Sequence, residues 1–452
     1  MIALIGLIAF VVLGVAVAIG LLYGRLELPF TSGRMKGSGA VQLSGVAVYF
    51  NWPEFNERVQ VDSESELEIV RGLLDGVVTQ AGSFDPSSVF WRLDLAWSDG
   101  RVTALSVTRE YRLFVAAGDS GELPESLKHL GPGEQTGSPV EWVSPELAAW
   151  VRAQIEALES QFYGELLTWP EVARHFPVGG TAVVRDLETG RSFQVRRHRG
   201  DSHADVEPLT ADDSRILQEI YGGEWSWKRR AVVLSIGDLR AAGSMNGMPH
   251  GWGDLFENEF VGHSCIHFWQ SRVHGTWRED PGHQLKVLKA AGRLTQTLDA
   301  ASPDELAKWS VAAINHQDVV SLRYMSGQED ALGSEFASAA RQGGGFSILL
   351  SQLALPIRHI SYHGARMVDQ EERTATVEVS ATVYYHEPDP DRGYLKVVRV
   401  RLKRANPGEP WRVDLASLIP MARTTGGVAA LSGAPYDAEV AQALSMGCEG
   451  HS

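Results

Sequence analysis

The chain has only two cysteines in 452 residues, Cys265 and Cys448, too few for a disulfide framework. It also lacks a basic surplus. Its 41 Lys and Arg stand against 56 Asp and Glu, a formal charge of −15, which excludes a general nucleic-acid binder. There is no internal repeat, no coiled-coil pattern and no His-Glu-x-x-His helix, so one common zinc-hydrolase arrangement is missing too. What is present, 44% hydrophobic and 21% charged residues, describes a folded globular chain. Its length suggests roughly two to four domains.

Residues 1–24 carry no charged side chain and are long enough to cross a bilayer as a helix. A cleaved signal segment would want basic residues before the apolar run, although Ala16-Val17-Ala18 has the small-x-small form of a cleavage site. The length favours an N-terminal transmembrane helix, a single-pass anchor in the cell membrane. Arg25, Arg34 and Lys36 follow the run and vote for a cytoplasmic body.

The rest reads as a multidomain chain, mainly β and α+β. A small α+β domain is expected over 38–120, with a strand in VQLSGVAVYF, a helix in SELEIVRGLLDGVV and a hairpin turning at Asp99-Gly100. Residues 121–139 read as a Pro/Gly-rich linker and 140–164 as a linking helix opened by Ser144 and Pro145. A β-rich domain follows over 165–283, with a hairpin through Glu188-Thr189-Gly190 and a stretch dense in Gly, His and Trp. Over 290–423, helices precede long alternating strands. This order resembles the nuclear-transport-factor-like cone fold, a sheet curled around a helix, which implies no particular activity. Residues 424–452 read as a flexible tail that includes Cys448.

The chemistry concentrates in Gly262-His263-Ser264-Cys265-Ile266-His267, with His250-Gly251 a short loop earlier. A free thiol has a pKa of about 8.5 and needs a base or a positive field to attack at neutral pH. A strand, a wide loop and a return would bring the His250 imidazole to the sulfur, with backbone amides near Cys265 left for an oxyanion. The bland alternative is a small buried cysteine among locally bonded histidines.

These residues resemble the catalytic motif of bacterial L,D-transpeptidases, in which a histidine-glycine pair precedes a Ser-His-Gly-Cys-Ile-Arg-like segment. The resemblance covers about 165–283. It implies that Cys265 is the acylated nucleophile, His250 its base and His263 the histidine before it. It assigns the loop and oxyanion region to Gly251, Gly262 and Ser264, and the substrate-facing position to His267. Gly262 stands where serine is usual, Ser264 where glycine is usual and His267 where arginine is usual. The implied partner is a peptidoglycan stem peptide, with no cofactor, and a body facing the cell envelope.

Two other readings stay open. His203, Asp205, His263 and His267 could hold zinc in an envelope peptidase. The chain could equally be a non-catalytic envelope scaffold whose cysteine site is degenerate. Near the site, Asn246, Asp254, Glu257, Asn258 and Glu259 could hold an amine acceptor or simply face solvent.

Overall fold

The computed structural model describes residues 41–50, 58–81, 89–115, 140–274, 277–327, 356–387, 389–390 and 392–423. The expected linker at 121–139 and the tail at 424–452, with Cys448, lie outside the described residues. Contacts divide the chain into two compact units, which exchange along the helix Pro145–Phe162.

The first unit holds β1 (Leu43–Phe50), β2 (Arg58–Val61), α1 (Glu64–Asp75), β3 (Val78–Ala81), β4 (Val89–Trp97), β5 (Val102–Thr108), β6 (Leu113–Val115) and β7 (Val140–Val143). Its seven strands follow the order β2-β1-β4-β5-β6-β7-β3. Leu67, Val70 and Leu74 recur at three- and four-residue steps and are the buried side of α1. Asp99-Gly100 turns the β4–β5 hairpin, with Gly100 in the left-handed region at φ 89°. Because β7 pairs with both β6 and β3, this sheet draws on residues beyond the 38–120 read from sequence.

The second unit begins along α2 (Pro145–Phe162) and α3 (Trp169–Ala173) and continues through β8 (Thr181–Asp186), β9 (Ser192–Arg199), β10 (Ala204–Pro208), α4 (Ala211–Ile220), β11 (Arg230–Ile236), β12 (Leu239–Met245) and β13 (Ser264–His267). These six strands close a barrel in the order β10-β13-β12-β11-β8-β9. Strand alternation sends Val184, Val195, Val206, Leu234 and Ile266 into one apolar core. Burying each such side chain contributes about 1.5–3 kcal/mol. The residues between them face outward, and on β10 and β13 those are Asp205, Glu207, Cys265 and His267.

The same unit continues with α5 (Pro281–Ala290), α6 (Leu294–Ala300), α7 (Pro303–Asn315) and α8 (Val319–Ser326). An antiparallel sheet follows, β14 (Ile357–Gln370), β15 (Thr374–Tyr385), β16 (Gly393–Lys403) and β17 (Arg412–Val413), in simple meander order, then a 3-10 helix over Leu415–Ala422. Asp280 caps α5 by accepting from the His283 amide at 2.8 Å, and Ser302 with Glu305 forms a capping box on α7. α7 packs on β14 and β15, and α5 is buried along most of its length against β11, β12 and α7. The barrel and the helix-on-sheet region therefore belong to one unit.

One expectation is corrected. Among the described residues no helix is long and apolar enough to cross a membrane. The longest, α2, has 18 residues but carries Glu146, Arg152, Glu156 and Glu159. No described helix therefore supplies the N-terminal transmembrane helix of the fold reading or supports its single-pass cell-membrane placement. Residues 1–24, on which that reading was placed, lie outside the described residues.

Candidate functional site

The site is built on the outer face of the barrel where β10 meets β13. Asp205 stands directly opposite Cys265 in that pair, and Ala204 opposite Ile266. Alternation thus puts a carboxylate and a thiol side by side on one face and two apolar residues on the other. Ser264 shares the face of Ile266, away from the sulfur, and its hydroxyl has no hydrogen-bond partner among the described residues.

The two sequence motifs are joined by backbone. His250 N donates to the His263 carbonyl at 3.0 Å, and His263 N donates to the His250 carbonyl at 2.9 Å. Glycine at 262 is required by this closure: φ is +101°, and a Cβ there would collide with the His250 carbonyl oxygen. The departure from serine at this position therefore has a physical cause. Gly251 is also left-handed, at φ 59°. Gly253 leaves room for the Glu207 carboxylate, whose Oε1 accepts from the amides of Asp254 and Leu255 at 2.7 and 2.9 Å. His198 Nδ1 meets Asp254 at 2.8 Å. Together these contacts pin the loop back onto β9 and β10.

The bridge delivers His250 to the sulfur: Nε2 lies 3.2 Å from Cys265 Sγ. Its Nδ1 lies 2.8 Å from the Met248 carbonyl, which can only accept, so Nδ1 carries the proton and Nε2 presents a lone pair. His263 is fixed the same way by the Trp252 carbonyl at 2.7 Å, and His203 by the Arg272 carbonyl at 2.9 Å. Burial, reinforced by the neighbouring His263, pulls the His250 pKa down to about 4. Burial likewise lowers His263, against the pull of Asp205. Asp205 behaves in the opposite sense. Burial would raise it, but protons carried by the imidazoles of His203 and His274 would hold it well below the usual carboxylate range.

Around Cys265, which is 3% exposed, stand His250, His203, Asp205 and His274. Asp205 Oδ1 lies 3.7 Å from Sγ, 3.2 Å from His203 Nε2, 3.3 Å from His274 Nε2 and 3.9 Å from His263 Nε2. His267 is placed differently. It is 3% exposed, its Nδ1 lies 3.1 Å from Ser271 Oγ, and its ring is stacked between His203 and His283 at 4.1 and 3.7 Å. Burial lowers its pKa well below the usual value. Of the four residues read as zinc ligands, His203 and Asp205 join the cysteine, His263 stands at their edge and His267 lies in the stack.

Sequence reading placed His274 only downstream of the motif, among the imidazoles of the zinc alternative, and gave no role to the Glu207–His198 anchor. One signal could have found part of this: His203, Asp205 and Glu207 recur at every second residue, the spacing that shares a strand face. Of the polar loop residues, Asn258 is 2% exposed and donates to the Pro208 carbonyl at 2.8 Å, and Asp254 is engaged with His198. Trp252, Phe256 and Val261 are the exposed apolar residues of the loop.

No protein-family model matches the chain, and no curated protein matches it significantly.

Proposed function

We propose that the chain is a cysteine acyltransferase of L,D-transpeptidase type that acts on peptidoglycan stem peptides. One observation carries the reading: an imidazole nitrogen with its lone pair free of a proton lies 3.2 Å from the thiol of Cys265, and its ring is oriented from behind by a backbone carbonyl. His250 is neutral at neutral pH, and the negative Asp205 stands 3.7 Å from the sulfur. The resting pair is therefore thiol and imidazole, and deprotonation accompanies attack.

In the proposed cycle the Cys265 sulfur bonds to the carbonyl carbon that links an L- to a D-centre, and its proton passes to His250 Nε2. The amides of Ser264 and Cys265 are the candidates to hold the oxyanion. The bond to the terminal D-residue breaks, and its amine leaves with the proton from His250. A stem amine, or water, then attacks the thioester while His250 accepts its proton, and Cys265 recovers its thiol. Amine capture yields a cross-link and water capture a shortened stem.

The test is incubation of the full chain with a synthetic tetrapeptide stem, followed by intact mass and product analysis. An acyl adduct on Cys265 with release of the terminal D-residue is expected. A thiol that forms no adduct and releases no residue, in protein whose fold is verified, would leave a binding protein instead.

A further inference from the structure

Cys265 belongs to a second cluster besides its pair with His250. His203 Nε2, Asp205 Oδ1, His274 Nε2 and Cys265 Sγ all lie within 4.8 Å of one another. His203 is fully buried, and its Nε2 is 3.2 Å from the Asp205 carboxylate yet makes no hydrogen bond to it or to any other described residue. Because the Arg272 carbonyl holds the ring proton on Nδ1, a buried lone pair faces an anionic oxygen. That arrangement needs positive charge between the two atoms.

The distances say which kind. Charge-assisted hydrogen bonds between nitrogen and carboxylate fall near 2.7–2.9 Å. Ligands about 2.0–2.3 Å from a tetrahedral zinc ion are separated by roughly 3.4 Å for nitrogen to oxygen and roughly 3.6 Å for sulfur to oxygen. Here nitrogen-to-oxygen separations are 3.2 and 3.3 Å, and sulfur to oxygen is 3.7 Å. Two imidazoles, a carboxylate and a thiol suit a borderline-soft divalent cation. The Arg272 carbonyl behind His203 is the outer partner that such ligands commonly have.

We propose that the chain binds a zinc-class divalent cation through His203, Asp205, His274 and Cys265, and that the ion shuts off acyl transfer by holding the sulfur. The second half rests on Cys265 being the nucleophile. In this arrangement the base and the inhibitory ion compete for one atom: His250 takes its proton from one side, and the cation takes its electron pair from the other.

The test uses the full chain, stripped with a chelator and titrated with Zn²⁺ alone. Saturable uptake of one ion per chain is expected, with Cys265 protected from alkylation and restored by chelator. Co²⁺ in its place should give a thiolate charge-transfer band that Cys265→Ser removes. His203→Gln and His274→Gln should each weaken Zn²⁺ binding by at least the 10–100-fold typical of losing even an outer partner. Absence of saturable uptake, or of protection in the wild-type chain, overturns the inference without reliance on any variant folding. So does uptake unchanged in both Cys265→Ser and His203→Gln. The catalytic reading is scored separately, by alkylation of the stripped protein with and without His250→Gln. If His250 has no effect while zinc still protects, the acyl-transfer reading falls and the metal site stands. If His250 matters but zinc does not protect, the reverse holds.

Discussion

On α5, Lys286 and Lys289 clasp Asp318 at 2.9 and 3.0 Å, and nearby Arg230 grips Asp186 through two contacts of 2.7 and 2.8 Å. Around Cys265, by contrast, the contacts among ionisable groups run from 3.2 to 3.9 Å. Both clusters are buried in the same unit. In the first, each carboxylate is matched by a cation at short range, and although burial alone would raise Asp318, the two lysines push its carboxyl far below its ordinary value. In the second, burial keeps the imidazoles of His250 and His263 neutral, with nitrogen lone pairs turned toward a thiol and a carboxylate. A buried ion network with every charge matched serves the fold. A cluster with mismatched protonation demands is where chemistry is to be sought.

Substitutions should separate the two clusters. The largest expected effect is from Cys265→Ala, which should abolish acylation by a stem peptide or a β-lactam probe while the thermal midpoint moves little. Any adduct surviving at this site by intact mass would refute the assignment. Next, His250→Gln should slow acylation of Cys265 by about 10²–10⁴-fold, the usual contribution of a positioned base, with near-normal stability in denaturant. The other cluster should respond in the opposite way. Asp318→Asn removes the anion that two buried lysines share, leaving Lys286 its longer contact with Glu188 at 3.4 Å, and should cost about 3–5 kcal/mol in chemical denaturation, with the acylation rate of the remaining folded protein unchanged.

The smallest effect is with pH: both clusters lose stability on acidification, but in different windows. The buried histidines have folded pKa values below the unfolded one, so the unfolded chain binds their protons first. Their contribution is present above about 6.5 and is lost as pH falls toward about 4, the folded value of His250. For that residue the loss is roughly 3 kcal/mol, at about 1.4 kcal/mol per pH unit. Asp318 also has a depressed folded pKa, but its unfolded value is that of an ordinary carboxylate, about 3.9. Its contribution therefore survives to that pH and is lost below it. Denaturation midpoints measured from pH 7.5 downward should begin to fall near 6.5 in wild type and in Asp318→Asn alike. Stability that stays flat down to pH 4 would contradict the histidine assignment.

Much of the immediate surroundings of Cys265 was legible in sequence because it is local. His250-Gly251 and Gly262-His263 announce a turn-and-return, and the backbone bridge between His250 and His263 is that return. The hairpins at Asp99-Gly100 and Glu188-Thr189-Gly190 were legible for the same reason. The carboxylate beside the sulfur was not, since the register that sets Asp205 against Cys265 joins residues sixty positions apart. His267 was misleading in its own way. Its neighbours in the motif suggested a substrate-facing residue, but its strand face is covered by His283 from α5.

The paired hydrogen bonds between His250 and His263 have a consequence for how such a site can diversify. They fix both ends of the 251–262 segment, so His250 and Cys265 keep their spacing whatever the segment contains. Closing a longer loop is cheap, about 0.6 kcal/mol for each doubling of its length. The exposed Trp252, Phe256 and Val261 could thus be exchanged, or the segment lengthened, as an interchangeable cassette. New preferences could be grafted onto this barrel by recombination at two fixed seams, without disturbing the His250–Cys265 pair.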